Sequence, residues 1–334
     1  MFKSFFLNRT WLFWSLFGSL LIVVGTWYKV ELDVEINHWF GSFYNSIQEA
    51  LTKPGSVKLD DFLWSTVSFL KIAFVYMLIG IFLEFFISHY IFRWRTAMNE
   101  YYTQNWPSIR HVEGASQRIQ EDTMRFARIM ESLGLVFLRS VLTLIAFLPL
   151  LNELSKHVTE LPWIGHIDHS LIFVAILSAI LGTTLLAVAG MKLPGLEFNN
   201  QKVEAAYRKE LVLGEDSPER ADPSSLGDLY SNVRKNYFRL FKYYMIFNIA
   251  KYSYLQTTNI MPYVILAPTI IAGVITLGIL NQILRAFGRV EESFQFLVNS
   301  WSTIVELISI YKRLKAFEKE IDKAAGQSEL VEEV

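Results

Sequence analysis

The 334-residue chain contains no cysteine, and its six histidines are scattered rather than grouped. The missing cysteines exclude disulfides, thiolate metal sites and a cysteine nucleophile, although they leave the cellular compartment open. The chain also lacks the HExxH pattern of zinc hydrolases, the Gly-x-Ser-x-Gly elbow of serine hydrolases and the phosphate-binding P-loop. We therefore predict that the chain is not an enzyme, binds no metal or other cofactor, and does not bind ATP by itself.

A strong charge of either sign is absent too. The formal net charge is −1 at pH 7, which gives no reason to expect a nucleic-acid partner. Hydrophobic residues, in contrast, make up 52% of the sequence, and its 26 phenylalanines, 15 tyrosines and nine tryptophans suit a membrane interface. Together with a mean hydropathy of +0.29, this composition indicates an integral membrane protein.

Six apolar stretches reach or approach the ~20 residues that a helix needs to cross the hydrocarbon core of a bilayer. They predict an all-α transporter domain over residues 1–318, with membrane helices at residues 11–28, 64–90, 133–151, 171–191, 238–275 and 277–311. The first stretch is too long and aromatic for a cleaved signal peptide, so it is predicted to remain as an anchor. Two helical loops (91–132 and 192–237) and a polar C-terminal tail (319–334) complete the chain.

Basic residues identify the cytoplasmic side. Arginines and lysines are concentrated in loops 91–132 and 192–237, whereas the loops on the opposite side have few. Because positively charged loops stay in the cytoplasm, both of these loops and both termini are predicted to be cytoplasmic. Apolar positions from Ile109 to Leu133 follow a helical period, which predicts a helix that continues into the third membrane helix. On the outer side, residues 36–51 predict an amphipathic surface helix or a cap over a cavity.

The last predicted membrane helix carries a polar stripe. Steps of four and three residues connect its members, which are Asn281, Arg285, Gly288, Glu292, Gln295, Asn299, Ser302 and Glu306. Polar groups that face lipid are costly, so the stripe is predicted to line a water-filled substrate path. The alternative is polar packing between helices, in which Arg289 pairs with Glu292 three residues later.

Long motifs give the chain a family resemblance. They are "SHYIFRWRTAMNEYY" (88–102), "HVEGASQRIQEDTMRFA" (111–127), "KLPGLEFNNQKVEAAYRKELVLGED" (192–216) and "NSWSTIVELISIYKRLKAFE" (299–318). They resemble the SbmA/BacA family of inner-membrane proteins from Gram-negative bacteria, over nearly the whole chain. The resemblance implies an ABC-exporter-like transmembrane domain of about six long helices without a nucleotide-binding domain. It also implies a homodimer that imports peptides and peptide-like antibiotics with protons.

The same resemblance implies proton-coupling carboxylates at Glu121, Glu131, Glu204 and Glu215, and a substrate contact at Tyr44. Each of these residues has a simpler alternative role. The alternatives are ion pairs of Glu121 with Arg125, Glu131 with Arg128 and Glu204 with Arg208, a solvated Glu215, and an interfacial anchor at Tyr44. Expected burial within the second and sixth helices adds Glu84 and Glu306 as further candidates.

We therefore expect a proton-driven importer of peptides that works by alternating access, in contact with membrane lipids and a second copy of itself. Two other functions fit the sequence. One is the membrane subunit of an ABC transporter that uses a separate ATPase for lipid or cobalamin-like cargo. The other is a membrane protein that influences envelope lipids without transporting anything.

Overall fold

The computed structural model describes residues 1–112, 114–163, 165–217 and 219–332, and within them the chain is almost entirely helical. The helical stretches in these ranges are α1 (Phe2–Phe6), α2 (Leu12–Thr52), α3 (Leu59–Gln104), α4 (Trp106–Ile109), α5 (Ala115–Ser155), α6 (Ser170–Gly190), α7 (Leu193–Asp216), α8 (Pro223–Ile271), α9 (Leu277–Asn299) and α10 (Trp301–Glu332). A short antiparallel bridge joins Leu161 and Gly165 in the loop after α5. The long helices confirm the predicted all-α membrane fold without a nucleotide-binding domain in this chain.

Helix α2 extends well beyond its predicted span at residues 11–28 and includes residues 36–51. These residues continue α2 because neither proline nor glycine interrupts the sequence between Tyr28 and Ile36. Their predicted position on the outer membrane surface or over a cavity stays a prediction. The helix ends at Thr52, where Pro54 and Gly55, the latter with a φ of +85°, turn the chain. Its 41 residues span about 60 Å at ~1.5 Å per residue, about twice the hydrocarbon core of a bilayer.

Helices α3 and α5 also run past their predicted spans, into the region expected as loop 91–132. Asp60 and Asp61 lie in the first turn of α3 and favour the start of a helix, because the N-terminal end of a helix is electrostatically positive. Helix α5 begins after Gly114, which has a φ of +74°. From there it continues without interruption into the third predicted span, as the period of apolar positions predicts.

Two turns of α5 are π-helical, at Arg118–Asp122 and Met130–Gly134. A π turn holds an extra residue, so it rotates the side chains that follow, and such turns are frequent at functional sites. Each of the two turns contains a carboxylate predicted to couple protons, Glu121 in the first and Glu131 in the second.

Helices α9 and α10 follow each other with hardly a break. Only Ser300 separates them, and its N–H donates to the Phe296 carbonyl at 3.0 Å while its own carbonyl accepts from the Ile304 N–H at 2.9 Å. Helix α10 continues past residue 318, because Phe317 and Ile321 both pack into the core. The division into a transporter domain and a tail at residue 319 stays a prediction.

Within the described ranges, four stretches are long and apolar enough to cross a membrane by length and composition. They are α2, α3, α5 and the stretch Ser170–Glu215, which contains α6 and most of α7. Their surfaces expose large apolar side chains such as Phe13 and Phe82, as a lipid-facing helix does. The fifth and sixth predicted spans correspond to α8 and α9, which are more polar, and their passage across the membrane stays a prediction.

The chain divides into two compact units, one formed by Met1–Ala175 with Pro268–Val334 and the other by Ile176–Ala267. The core of the first unit lies where α1, α3, α5 and α10 meet, around the buried rings of Phe5, Trp94 and Phe126. In the same unit, α9 packs between α2 and α5. The second unit packs α7 onto α8 through a small apolar cluster of Leu193, Leu196 and Leu240.

Candidate functional site

Helix α9 lies against α2, and polar groups hold the two helices together along what we call the α2–α9 seam. The seam is formed by Asp33, Asn37, Phe40, Gly41, Asn45 and Gln48 on α2 and by Leu277, Gly278, Gln282, Arg285 and Arg289 on α9. It brings the polar side of α9 onto α2 rather than leaving it to face lipid.

One end of the seam is a close crossing at the start of α9. A Cβ atom on Gly278 would overlap the Gly41 carbonyl oxygen, so glycine allows the two backbones to touch. The Leu277 N–H donates to Gln48 Oε1 at 2.7 Å, and the Gly278 N–H donates to Asn45 Oδ1 at 3.0 Å. Because the first N–H groups of a helix have no partner inside it, these side chains cap α9 and fix its start on α2.

A buried ion pair closes the other end of the seam. Arg289 Nη2 lies 2.9 Å from Asp33 Oδ1, and Arg289 Nε lies 2.9 Å from Asp33 Oδ2. The Asp33 side chain is 9% exposed and that of Arg289 is 30% exposed. The two contacts give the Asp33 carboxylate on α2 a partner of opposite charge. A buried carboxylate on a helix within a membrane would be costly without one.

Between these ends, the seam combines polar and aromatic contacts. Asn37 is 1% exposed, and its Nδ2 donates to the Gln282 carbonyl at 3.3 Å. Its Oδ1 has no hydrogen-bond partner within the described ranges. The Arg285 guanidinium lies 4.1 Å from the centre of the Phe40 ring, a cation–π contact, and the Tyr44 ring centre lies 6.1 Å from the same ring. The fold therefore places Tyr44 and Arg285, two predicted substrate contacts, around one phenylalanine.

Two further residues of the predicted stripe lie near the seam. Asn281 donates to a carbonyl of its own helix at 2.9 Å. Glu292 is exposed and lies 3.5 Å from Arg289, so the pair expected in the alternative interpretation is present but long. The closer partner of Arg289 is Asp33, which the stripe alone does not identify.

The rest of the stripe has varied surroundings. Gln295 is buried and donates to a glutamate one turn earlier at 3.3 Å, whereas Asn299 is exposed. The Ser302 side chain lies outside the described part of the chain. Glu306 is exposed, which contradicts its expected burial, because it extends towards Arg125 of α5 and lies 3.5 Å from it. The stripe thus faces more than one neighbour, and its role in a substrate path stays a prediction.

Glu131 lies half-buried in the second π turn of α5. Ser88 Oγ of α3 donates to Glu131 Oε1 at 2.5 Å, so the carboxylate contacts a neighbouring helix. Arg128, the alternative partner, is exposed. Glu84, one turn before Ser88, is exposed as well, which contradicts its expected burial, because the adjacent Leu83 takes the inward position towards α2.

Glu121, in the first π turn, forms the simpler contact expected for it. Its carboxylate lies 2.7 Å from Arg125 Nη2 and accepts a hydrogen bond from Gln117 at 3.2 Å. Arg125 also contacts Glu306, so one arginine connects two of the predicted carboxylates. A role of Glu121 in proton coupling stays a prediction.

The neighbouring Asp122 forms a strong contact that the sequence did not reveal. It is 2% exposed, and Arg313 of α10 donates to its two carboxylate oxygens from Nε at 2.9 Å and from Nη2 at 2.7 Å. The hydrogen bonds from Arg313 to Asp122 raise the pKa of the Arg313 guanidinium. Asp122 precedes Phe126 by four residues and so shares its buried face, which is the signal that could have found it.

Glu204 and Glu215 both lie on α7 in the second unit. Glu204 is half-buried and Glu215 is exposed, in agreement with a solvated position for the latter. In the described part of the chain, no ion pair joins Glu204 to Arg208. A proton-coupling role for either residue stays a prediction.

The chemistry of these sites is that of ion pairs and hydrogen bonds between helices. In the described ranges, no three metal-ligating side chains come together. Carboxylates that hold neighbouring helices through arginine or serine can change those contacts when they gain or lose a proton. A proton-coupling role of these carboxylates stays a prediction.

Long apolar helices with charged pairs between them define a multi-pass, α-helical membrane protein. The chain belongs to the SbmA/BacA-like family, whose model matches residues 8–322. It is accordingly a membrane protein of this family.

Curated relatives point to the same class. The inner membrane ABC transporter ATP-binding protein YddA of Escherichia coli (strain K12) is 25% identical over 86% of this chain and 54% of its own length. An uncharacterized ABC transporter ATP-binding protein of Synechocystis sp. is 24% identical over 97% of this chain and 49% of its own length. ABC transporter D family member 2, chloroplastic, of Arabidopsis thaliana is 23% identical over 69% of the chain and 33% of its own. The chain thus spans about half the length of the first two relatives.

Proposed function

We propose that this protein is a homodimeric importer that uses the proton gradient to carry peptides and peptide-like antibiotics across the inner membrane of a Gram-negative bacterium. Both termini lie in the cytoplasm in this proposal. Substrate and protons enter from the periplasm, the cavity reopens inward, and both leave to the cytoplasm. The chain itself performs no chemical reaction on its cargo and needs neither ATP nor another cofactor.

The placement of charged groups on helices that cross the membrane carries this proposal. Asp33 on α2 is buried against an arginine, and Glu131 is half-buried where α5 leaves the charged cytoplasmic region. Ionisable residues within membrane helices are rare and are by default candidates for proton or substrate pathways. Membership of the SbmA/BacA-like family supports a transporter with this property.

A cluster of aromatic and cationic side chains supports the proposed substrate class, which the family resemblance implies. Tyr44, Phe40 and Arg285 form one cluster of aromatic and cationic surface. Aromatic rings and a guanidinium can contact peptide backbones and side chains of many sequences, which suits diverse peptides and their antibiotic mimics.

A second candidate function is favoured by the relatives. Their names describe ATP-binding proteins of ABC transporters, and this chain covers about half of their length. In that case, the protein is the membrane part of an ABC transporter that works with a separate ATPase, with lipid or cobalamin-like molecules as cargo.

Uptake into proteoliposomes separates these functions. The purified protein is reconstituted, and entry of a labelled proline-rich peptide is followed under an imposed pH gradient, with and without ATP. We expect uptake that requires the gradient and that Glu131→Gln abolishes, whereas Glu153→Gln, an exposed carboxylate on the same helix, retains it.

Uptake that ignores the gradient would reject the proposed energy source, and uptake that requires ATP together with a copurifying ATPase would favour the ABC subunit. Absence of any flux under every condition, with correctly inserted protein, would favour a protein that acts on envelope lipids without transport.

A further inference from the structure

We infer that Asp33 is a further proton-carrying residue of this transporter, and that its proton controls whether α2 and α9 are held together by Arg289. This inference rests on the proposed proton-driven function. It concerns a carboxylate outside the set Glu121, Glu131, Glu204 and Glu215.

Burial distinguishes Asp33 from those four carboxylates. Glu121 is satisfied by an arginine of its own helix, and Glu131 is half-buried and contacts a serine. Glu204 is half-buried and Glu215 is exposed. Asp33 is 7% exposed and binds an arginine on another helix through both of its oxygens. A proton on Asp33 would therefore remove the charge that holds two helices in contact, which is the effect that coupling requires.

Arg289 has a second acceptor within reach. Glu292, on the same helix, lies 3.5 Å from Arg289 Nη1, at the outer limit of a hydrogen bond. When Asp33 is protonated, the guanidinium keeps its charge and can turn to Glu292. When Asp33 releases its proton, the ion pair across the seam forms again. One proton is taken up and one is released in each cycle, and no other reactant is needed.

The seam also contains polar atoms whose hydrogen-bonding capacity is unused in this arrangement. Asn37 Oδ1, one turn after Asp33, is buried and has no hydrogen-bond partner in the described ranges, and neither has Arg285 Nε. Buried polar atoms are normally satisfied, so these two atoms are available as partners in a second arrangement of the seam. The ion pair holds the present arrangement.

The position of Asp33 along α2 suits proton entry from outside. Asp33 follows Leu12, the first residue of the helix, by about 30 Å at ~1.5 Å per residue, which equals the thickness of the hydrocarbon core. With the N-terminus in the cytoplasm, as proposed, Asp33 lies near the periplasmic boundary. Glu131 lies where α5 leaves the cytoplasmic region, so the two carboxylates suit opposite ends of a proton path.

Other charged groups surround the Asp33–Arg289 pair and interact with it. Cationic groups that act on Asp33 or its surroundings are Lys29 on α2, Arg139 on α5, and Arg285 and Arg289 on α9. The remaining groups are Tyr44 on α2, Glu84 and Tyr76 on α3, and Glu292 on α9. Neutralising Asp33 leaves this neighbourhood more positive, which adds repulsion between α2 and α9 to the loss of the ion pair.

The test measures the seam directly, without relying on transport. Because the chain has no native cysteine, spin labels can be placed at Glu49→Cys on α2 and Ile279→Cys on α9 without background labelling. Distances between the labels are measured in lipid nanodiscs between about pH 5 and about pH 8, with labelled protein diluted in unlabelled protein to suppress signals between subunits. The control is Glu35→Gln, an exposed carboxylate two residues from Asp33.

We expect a longer-distance population that grows as the pH falls in the native protein and in the Glu35→Gln control. Asp33→Asn should show that population at every pH and should lose gradient-driven peptide uptake by about tenfold or more. If Asp33→Asn fails to insert, Arg289→Lys serves instead: its single-point contact should move the transition to higher pH.

A pH-dependent distance that Asp33→Asn leaves unchanged would overturn the inference, as would an unchanged transition in Arg289→Lys. A distance that does not respond to pH in the native protein would overturn it too. Failure of the proposed function has a different signature: the distance responds to pH and to Asp33, yet peptide uptake ignores the proton gradient.

Discussion

The ion pair between Asp122 and Arg313 allows a quantitative prediction about the core of the first unit. Arg313 donates two hydrogen bonds to Asp122, and its Nη1 donates a third to Ser309 at 2.9 Å. The Asp122 side chain is 3% exposed, whereas that of Arg313 is 43% exposed. Arg313→Ala therefore leaves a buried carboxylate without its partner, while Asp122→Asn leaves an arginine that water can still solvate.

The difference in exposure between Asp122 and Arg313 determines how much each substitution destabilises the protein. Removing one partner of a buried ion pair costs about 3–5 kcal/mol, and water around the exposed half of Arg313 places Arg313→Ala at the lower end, about 3 kcal/mol. Asp122→Asn retains a polar acceptor, and the Arg313 charge that loses its partner is still partly solvated. We therefore expect a loss of stability of about 1–2 kcal/mol. The double variant should be less destabilised than the sum of the two, because the stranded charge is then absent.

The pH dependence follows from the same geometry. The pKa of Arg313 is raised by its hydrogen bonds to Asp122, so its contribution is present at every pH below the ordinary arginine value and does not change near neutrality. In Arg313→Ala, protonation of the lone Asp122 removes the buried charge. The stability difference between this variant and the native protein should therefore shrink as the pH falls from about 8 to about 5.

Thermal unfolding in detergent, followed by tryptophan fluorescence, measures these differences, since Trp94 lies in the same core. A loss of about 3 kcal/mol corresponds to a fall in Tm of about 4 °C, because ~2.1 cal/mol/K per residue gives an unfolding entropy of about 0.7 kcal/mol/K for 334 residues. Lys312→Ala, an exposed cation next to Arg313, is the matched control and should change Tm little. Equal losses for Arg313→Ala and Asp122→Asn, or a penalty that does not shrink in acid, would refute the reasoning.

Three further predictions address the membrane region. Gly278→Val should push α2 and α9 apart at their close crossing and lower Tm by several degrees. The control Gly288→Ala, which has open space around its Cβ position, should leave Tm unchanged. Similar falls in Tm for both variants would contradict the close crossing. Ser88→Ala removes the hydrogen bond to the proposed proton-coupling carboxylate of α5 and should shift the pH profile of uptake, with Ser88→Thr as the control that retains it. Glu84→Cys should react with a membrane-impermeant maleimide if its exposed side faces a wet cavity, whereas the lipid-facing Phe82→Cys should not; equal labelling would argue against such a cavity.

The length of the helices was only partly predictable, and the reason is physical. Apolar stretches mark where a helix lies in lipid, but they do not mark where it ends. Helix α2 continues through charged residues to Thr52 because no proline intervenes and a single glycine, Gly41, does not interrupt it; it stops where Pro54 and Gly55 occur. Turn residues rather than polarity therefore predict the ends of these helices.

The contacts of the candidate site were also only partly predictable from the sequence. Periodicity identified a polar stripe along α9 and α10 and placed Arg285, Glu292 and Glu306 on it. It could not show that Arg289, one position outside the stripe, is the residue that crosses to α2. Periodicity describes the faces of a single helix, whereas the choice of partner depends on which helix packs against that face.

The sequence alone determined that this protein is a cysteine-free, all-α membrane protein of the SbmA/BacA-like family without a P-loop in its 334 residues. These properties follow from composition, hydrophobic length and motifs, which are local in the chain. Only the tertiary structure decided the pairs Asp33–Arg289 and Asp122–Arg313, separated by 256 and 191 positions. An ion pair between distant segments depends on how the helices pack, because packing determines which oppositely charged side chain lies within reach of each charge.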